Sequence, residues 1–305
     1  MNHLVYLTYG KKEIIFECLY SILSLFKVDK NVDETLKITV YTDHPELFSI
    51  FPAGKIRLVS IDAEDLKKYK GPYDFVFRPK IEALIAASHE LEGKILYCDS
   101  DIYFLKSPQV LFEKITHDSY LMCNYEEEVG ENPKSNVSKR YIGFLKKEHN
   151  FLQQNDIHIH PHTPMWNAGV LGLYAQDRKK LEEVLFVTDT ICSKFYSHIT
   201  EQLAFSYCFA KNHHIHVCED VVFHYWNFKE FREVLVAFFE YHFTNGTQLD
   251  EVLQDMESIR PDVLSKPKRD YEALSFWPKA LRKLKGKKNR WKMPQYTIGQ
   301  RPHRK

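Results

Sequence analysis

Short apolar runs of strand length alternate with segments of helical period along most of this chain, and this alternation limits the possible fold more than any other feature. Leu4 to Thr8 suits a buried strand and is closed by Tyr9-Gly10. Residues 11–26 then carry Ile14, Ile15, Cys18, Ile22 and Phe26 at helical spacing. Ile38 to Tyr41, Ile56 to Ile61 and Lys94 to Cys98 read as further strands, with a helix over 80–91 that starts at Pro79. Ser119 to Cys123 and Ala168 to Tyr174 follow as strands, then helices over 177–195 and 200–210, and a last short strand from Val221 to Phe223. This alternation predicts an α/β sheet with helices on both faces.

In such sheets ligands bind beyond the carboxyl ends of the strands. Thr8-Tyr9, Thr42-Asp43, Asp99-Ser100-Asp101 and His224 all stand at predicted strand ends, which points to one shared crevice. The chain has 305 residues, enough for one large domain or a domain with a small appendage. A formal net charge of only +1 excludes a molecule built throughout as a nucleic-acid binder. The charge is uneven, however: Lys279 to Lys305 is rich in Lys and Arg and has no Asp or Glu, so an acidic body carries a basic tail. No apolar run is long enough to cross a bilayer, and Glu13 and Glu17 interrupt the first apolar stretch, which reads as an amphipathic helix rather than a signal peptide. The six cysteines are scattered without a C-x-x-C pair, several in apolar segments, as expected of buried free thiols in a reducing cytoplasm.

The chemistry concentrates in Lys94 to Lys106, where Asp99 and Asp101 flank Ser100 at the end of an apolar strand. Hard carboxylate oxygens in this arrangement suit Mg²⁺ or Mn²⁺ bound together with a diphosphate, whose charge the metal neutralises. An Asp-x-Asp triplet alone is a weak signal. The strand before it and Ile102-Tyr103-Phe104 after it raise its value.

The run Ile95-Leu96-Tyr97-Cys98-Asp99-Ser100-Asp101 resembles the strand-then-D-x-D signature of GT-A-type glycosyltransferases, above all the family-8-like group of galactosyltransferases and glycogenin-like enzymes. Further segments match in order: Phe77 to Leu84 resembles the helix before the metal strand, and Trp166 to Gly172 the F-N-S/A-G segment. Thr200 to Phe205 resembles the acidic-Gln stretch, and Val222 to Tyr225 the strand-then-His element. The resemblance covers about residues 3–230. It implies a GT-A domain, a mixed Rossmann-like sheet flanked by helices, over 1–230, with a helical, basic extension over 231–305. It implies Asp99, Asp101 and His224 as metal ligands and a nucleotide-diphosphate sugar, with UDP as the nucleotide, as donor. Thr8, Tyr9 and Asp43 would lie around the nucleoside. Arg78 would face the diphosphate or the Asp pair, with Lys80 and Ser100 also in the donor site. Asn167 and Gly169 would line the sugar pocket, and Glu201 and Gln202 would sit near the transferred sugar as the catalytic candidates. The chain departs from the family pattern after His224, where Tyr225 to Phe231 lacks the usual Gly and Pro and leaves Lys229 as the phosphate-binding candidate. It also has Glu201 where the family tends to have Asp.

Blander readings stand beside these. Thr8 and Tyr9 could simply end a strand, Arg78 could pair with Asp74 or Glu82, Asn167 could cap a turn, and a lone His224 could be structural. His158, His160 and His162 read as a loop on the acceptor side, because Pro161 breaks their alternation; His213, His214 and His216 read as a solvated turn. Trp277, Leu281, Leu284 and Trp291 among the cations of 279–305 suit an anionic membrane surface, though a disordered charged terminus has the same composition. The expected acceptor is a glycan or a lipid-linked sugar in surface polysaccharide synthesis, with no nucleic-acid partner and a cytoplasmic location, peripheral at the inner face of the membrane. A sugar-phosphate nucleotidyltransferase would share sheet and metal but should have a Gly-rich basic loop after the first strand, where Thr8 to Lys12 has one Gly. A catalytically degenerate carbohydrate-binding or partner-binding relative is the non-enzymatic alternative.

Overall fold

The computed structural model describes residues 1–132, 134–275, 277–279 and 281. Its first half alternates as the sequence suggests: β1 (Asn2–Thr8), α1 (Lys12–Val28), α2 (Val32–Thr35), β2 (Lys37–Thr42), β3 (Ile56–Ser60), α3 (Ala63–Lys70), α4 (Arg78–Glu90) and β4 (Lys94–Cys98). Shorter elements follow: β5 (Ile102–Phe104), α5 (Gln109–Lys114), β6 (Ser119–Met122), β7 (Tyr125–Glu128), α6 (Asn136–Lys147), α7 (His149–Gln154), β8 (Pro164–Trp166) and β9 (Val170–Tyr174). The rest comprises α8 (Arg178–Cys192), α9 (Thr200–Ala210), β10 (His214–Val217), β11 (Val222–His224), α10 (Phe231–Asn245), α11 (Leu249–Asp255), α12 (Pro261–Leu264) and α13 (Lys266–Glu272).

Seven strands form one sheet in the order β10-β6-β9-β4-β1-β2-β3. β1 lies inside it, parallel to both β2 and β4. Strands buried on both faces read as continuous apolar runs, and β1 does: Leu4 and Tyr6 pack into one core with Phe16, Leu19 and Leu23 of α1, whereas Val5 and Leu7 face the other with Ile81 and Leu84 of α4. β3 is one edge strand, β10 the other, and β3 exposes Arg57 and Leu58. β9 runs antiparallel to β4 and β6, so its first residues arrive at the same edge of the sheet at which β4 ends.

The expected α/β sheet with helices on both faces is thus present. The helix expected from Pro79 begins at Arg78, with the proline in its first turn. Within 231–305, α10 packs on α1 through Phe16 against Phe239 and Tyr20 against Phe231 and Phe238, so its apolar face belongs to the same core as the sheet. His214 and His216 belong to edge strand β10 rather than to a turn, and both are exposed. All six cysteines are buried free thiols. No helix among the described residues is long and apolar enough to cross a membrane. Of the basic tail, Arg282 to Lys305, with Leu284 and Trp291, lies outside the described residues.

Candidate active site

β4 delivers Asp99 to the carboxyl edge of the sheet, where its backbone N–H donates to the carbonyl of Gly169 at 2.8 Å just before β9 begins. The chain turns through Ser100 and Asp101 into β5, which pairs antiparallel with β11 so that His224 stands opposite Ile102. This small ladder brings the His224 imidazole against Asp101: Nε2 is 3.1 Å from Asp101 Oδ1 and Nδ1 is 2.9 Å from Asn167 Oδ1. Both ring nitrogens face acceptor oxygens, since Asn167 Oδ1 also accepts from the Gly169 N–H at 2.9 Å. Burial by itself would lower the His224 pKa, but the Asp101 carboxylate overrides it and pushes it up to about 10. Asp101 is almost fully buried, which disfavours its charge, yet His224 and Lys229 together hold its carboxyl well below the usual range. The Lys229 Nζ lies 3.0 Å from Asp101 Oδ2.

Lys80, from the first turns of α4, supplies a buried cation, whereas the side chain of Lys229 is half-exposed. Its Nζ is 3.1 Å from Asp99, 3.0 Å from Glu201 Oε1 and 3.1 Å from the carbonyl of Ala168. Burial opposes the ammonium, but Asp99 and Glu201 outweigh it and raise the Lys80 pKa. Burial raises the Glu201 carboxyl, and Lys80 offsets this only in part. Gln202, next on α9, donates to Glu126 Oε2 at 2.8 Å, and Asn167 Nδ2 donates to Glu126 Oε1 at 2.8 Å. Glu126 is therefore a solvent-facing carboxylate clamped by two amides, an arrangement set by the pairing of Tyr125 in β7 with Trp166 in β8.

Ligand atoms of Asp99, Asp101 and His224 lie within 4.8 Å of one another, the one such group among the described residues. Two carboxylates and an imidazole are a fitting donor set for Mn²⁺ or Mg²⁺, provided His224 gives up a proton. The crevice beside them holds about 190 Å³ and is lined by Tyr9, Glu17, Lys80, Asp99, Ser100, Asp101 and Arg232 among others. Gly169 is required by close approach: a Cβ there would come within 2.3 Å of His224 Cε1. A larger cleft, about 530 Å³, lies between α6, α7 and the 157–161 segment, shares no lining residue with the crevice and has no carboxylate in its wall. His158 and His160 line that cleft, while His162 Nδ1 pairs with Glu128 at 2.7 Å.

Thr8, Tyr9 and Asp43 stand at the ends of β1 and β2. The Asp43 carboxylate accepts from the Gly10 N–H at 2.9 Å, where Gly10 adopts a positive φ of 84°. Tyr9 donates to the Val76 carbonyl and Thr8 to the Ile14 carbonyl. Arg78 is not brought to the carboxylate pair. Its guanidinium is spent on Asp189 at 2.8 Å, Glu82 at 2.7 Å and the Tyr69 carbonyl at 2.7 Å, because Pro79 starts the helix with Arg78 facing α8 and α3, and the blander pairing with Glu82 is the one found. Three residues at or beside the crevice escape sequence reasoning: Glu17, Arg232 and Glu126. Glu17 carried a faint signal, as an acidic residue inside an otherwise apolar helix face.

No family model matches the chain, and no curated protein is significantly similar to it. Among solved structures, mouse xyloside xylosyltransferase 1 in its apo form is 12% identical over 71% of this chain and 84% of its own, with a TM-score of 0.46. A galactosyltransferase, LgtC, solved with donor and acceptor sugar analogs, is 13% identical over 70% of this chain and 72% of its own, with a TM-score of 0.43. The glycosyltransferase GlyE of Streptococcus pneumoniae is 14% identical over 71% of this chain and 46% of its own, with a TM-score of 0.39. Likenesses at this level do not bear on what the crevice binds.

Proposed function

We propose that this protein is a GT-A-type glycosyltransferase that moves a sugar from a nucleotide-diphosphate donor, with UDP as the nucleotide, to a hydroxyl acceptor. The observation that carries this reading is the convergence of Asp99, Asp101 and His224 in a crevice beyond the carboxyl ends of parallel strands, with Lys80 and Lys229 beside them. A divalent metal held by these three side chains would neutralise charge on the departing diphosphate. Lys229 would hold a phosphate oxygen, while buried Lys80 fixes Glu201 and Asp99 relative to one another. Asn167 orients the His224 ring and, through its amide, Glu126. Glu201 and Gln202 face this region from the first turn of α9 and remain the candidates beneath the transferred sugar. Glu126, clamped by Gln202 and Asn167, is a further carboxylate able to accept a hydrogen bond from a sugar hydroxyl without reorganising. The acceptor we favour is a glycan or lipid-linked sugar, met at the inner face of a membrane through the basic tail 279–305.

Calorimetry of UDP with and without Mn²⁺, on the wild type and on Asp99→Ala/Asp101→Ala, tests the reading. Metal-dependent binding that disappears in the double variant is the expected result. Absence of binding by UDP, GDP, CMP and dTDP alike would remove the transferase reading.

A further inference from the structure

Near Asp101, three buried polar atoms have no partner among the described residues: Oε1 of Glu17, Nε of Arg232 and the hydroxyl of Tyr225. They come from α1, α10 and the segment after β11. Tyr225 is tied to the site by its backbone N–H, which donates to the Asp101 carbonyl at 3.1 Å. Glu17 and Arg232 meet through a 2.8 Å hydrogen bond from Nη2 to Oε2, and both line the crevice that contains Asp101. Buried polar groups are almost always satisfied, so three orphans around one carboxylate mark a place where a polar ligand is wanted.

The charges say which kind. Lys229 stands three residues before Arg232, and Arg232 also lines a second hollow of about 470 Å³ in which Lys11, Lys229 and Arg232 outnumber the two carboxylates Glu13 and Glu233. The guanidinium has five N–H donors in a fixed fork, and the bond to Glu17 leaves others available. That fork matches phosphate oxygens. Glu17 is 2% exposed on its side chain and, among the described residues, has Arg232 as its one charged partner at ion-pair distance, so it holds the guanidinium at the crevice wall.

We propose that Arg232, aimed by Glu17, is a phosphate-binding residue for the donor's diphosphate. The assignment rests on the donor-site reading above, and its test separates the two. The measurement is calorimetry, with Mn²⁺ present, of UDP, UMP and inorganic pyrophosphate on the wild type, Arg232→Gln and Arg232→Lys. Arg232→Gln is expected to weaken UDP and pyrophosphate at least tenfold and UMP much less, with Arg232→Lys recovering part of the loss. Should Arg232→Gln fail to fold, Glu17→Gln/Arg232→Met removes both charges at similar volume and carries the same test. A folded variant that binds UDP and pyrophosphate as the wild type does overturns the role of Arg232 and leaves the donor site standing. A wild type that binds neither overturns the donor-site reading, and this assignment with it.

Discussion

The Lys80 Nζ lies 3.0 Å from Oε1 of Glu201, two opposite charges buried together between α4 and α9, and Asp99 shares the same ammonium. Lys80→Met leaves two carboxylates facing each other without a cation. Breaking a buried pair in this way costs about 3–5 kcal/mol. The urea midpoint should fall accordingly, whereas Glu201→Gln, which keeps Lys80 beside Asp99, should cost less. Equal stability of Lys80→Met and wild type would show that these groups do not depend on one another.

Asp101→Ala removes one arm of the candidate metal cluster and leaves His224 and Lys229 without their shared carboxylate. Metal-dependent release of UDP from a UDP-sugar should drop by on the order of a hundredfold or more, as for loss of a group that stabilises transition-state charge. Turnover near the wild-type rate would rule out the metal assignment.

Gly169→Ala puts a methyl group where the His224 ring sits. Overpacking of this kind costs about 1–3 kcal/mol, and here the ring is the neighbour that must move. The expected outcome is a folded protein by circular dichroism whose Mn²⁺-dependent UDP binding is lost. Retained binding would mean that His224 tolerates displacement and is not needed as a ligand.

His242 on α10 is buried against Phe238, with ring centroids 4.4 Å apart, and burial holds its pKa below the usual value although Asp255 and Glu251 pull the other way. The unfolded chain therefore binds a proton near pH 6.5 that the folded chain refuses. Stability should be full above that pH and should fall as the pH drops from 6.5 through the lowered folded value. His3, whose pKa burial also lowers, adds in the same direction. Melting temperatures between pH 8 and 5 should fall less steeply for His242→Phe than for the wild type; parallel curves would dismiss the contribution of His242.

Deleting residues 279–305 should weaken binding to liposomes containing anionic lipid, with a loss that shrinks as salt is added, while donor hydrolysis continues. Unchanged liposome binding would remove the membrane role of the tail.

The parts of this molecule that were readable beforehand are those coded locally. The apolar run 95–98 and its abrupt stop at Asp99 declare both a buried strand and a strand-end carboxylate, and the strand lies where that pattern puts it. What was hidden depends on pairings between distant segments. The three-residue strands β5 and β8 are too short to show a period, and although a short strand before His224 is expected from the sequence, only its pairing with β5 decides that His224 meets Asp101. Arg78 looked available because spacing shows Glu82 but cannot show Asp189, which lies 111 residues away. Glu17 and Arg232 are 215 residues apart, and Glu126 is fixed by two amides from other elements. Each such contact exists only once the sheet has assembled.

Asp101 is separated from His224 by 123 positions and from Lys229 by 128. A chain emerging from the ribosome presents the Asp101 carboxylate long before the imidazole of His224 and the ammonium of Lys229 that pair with it, although all seven strands of the main sheet have by then been made. Closing a loop of that length is slow relative to local structure. The partners of Asp101 therefore arrive only after every strand of the seven-stranded sheet, and a chain truncated before Phe223 contains all seven of those strands but lacks the groups that pair with Asp101.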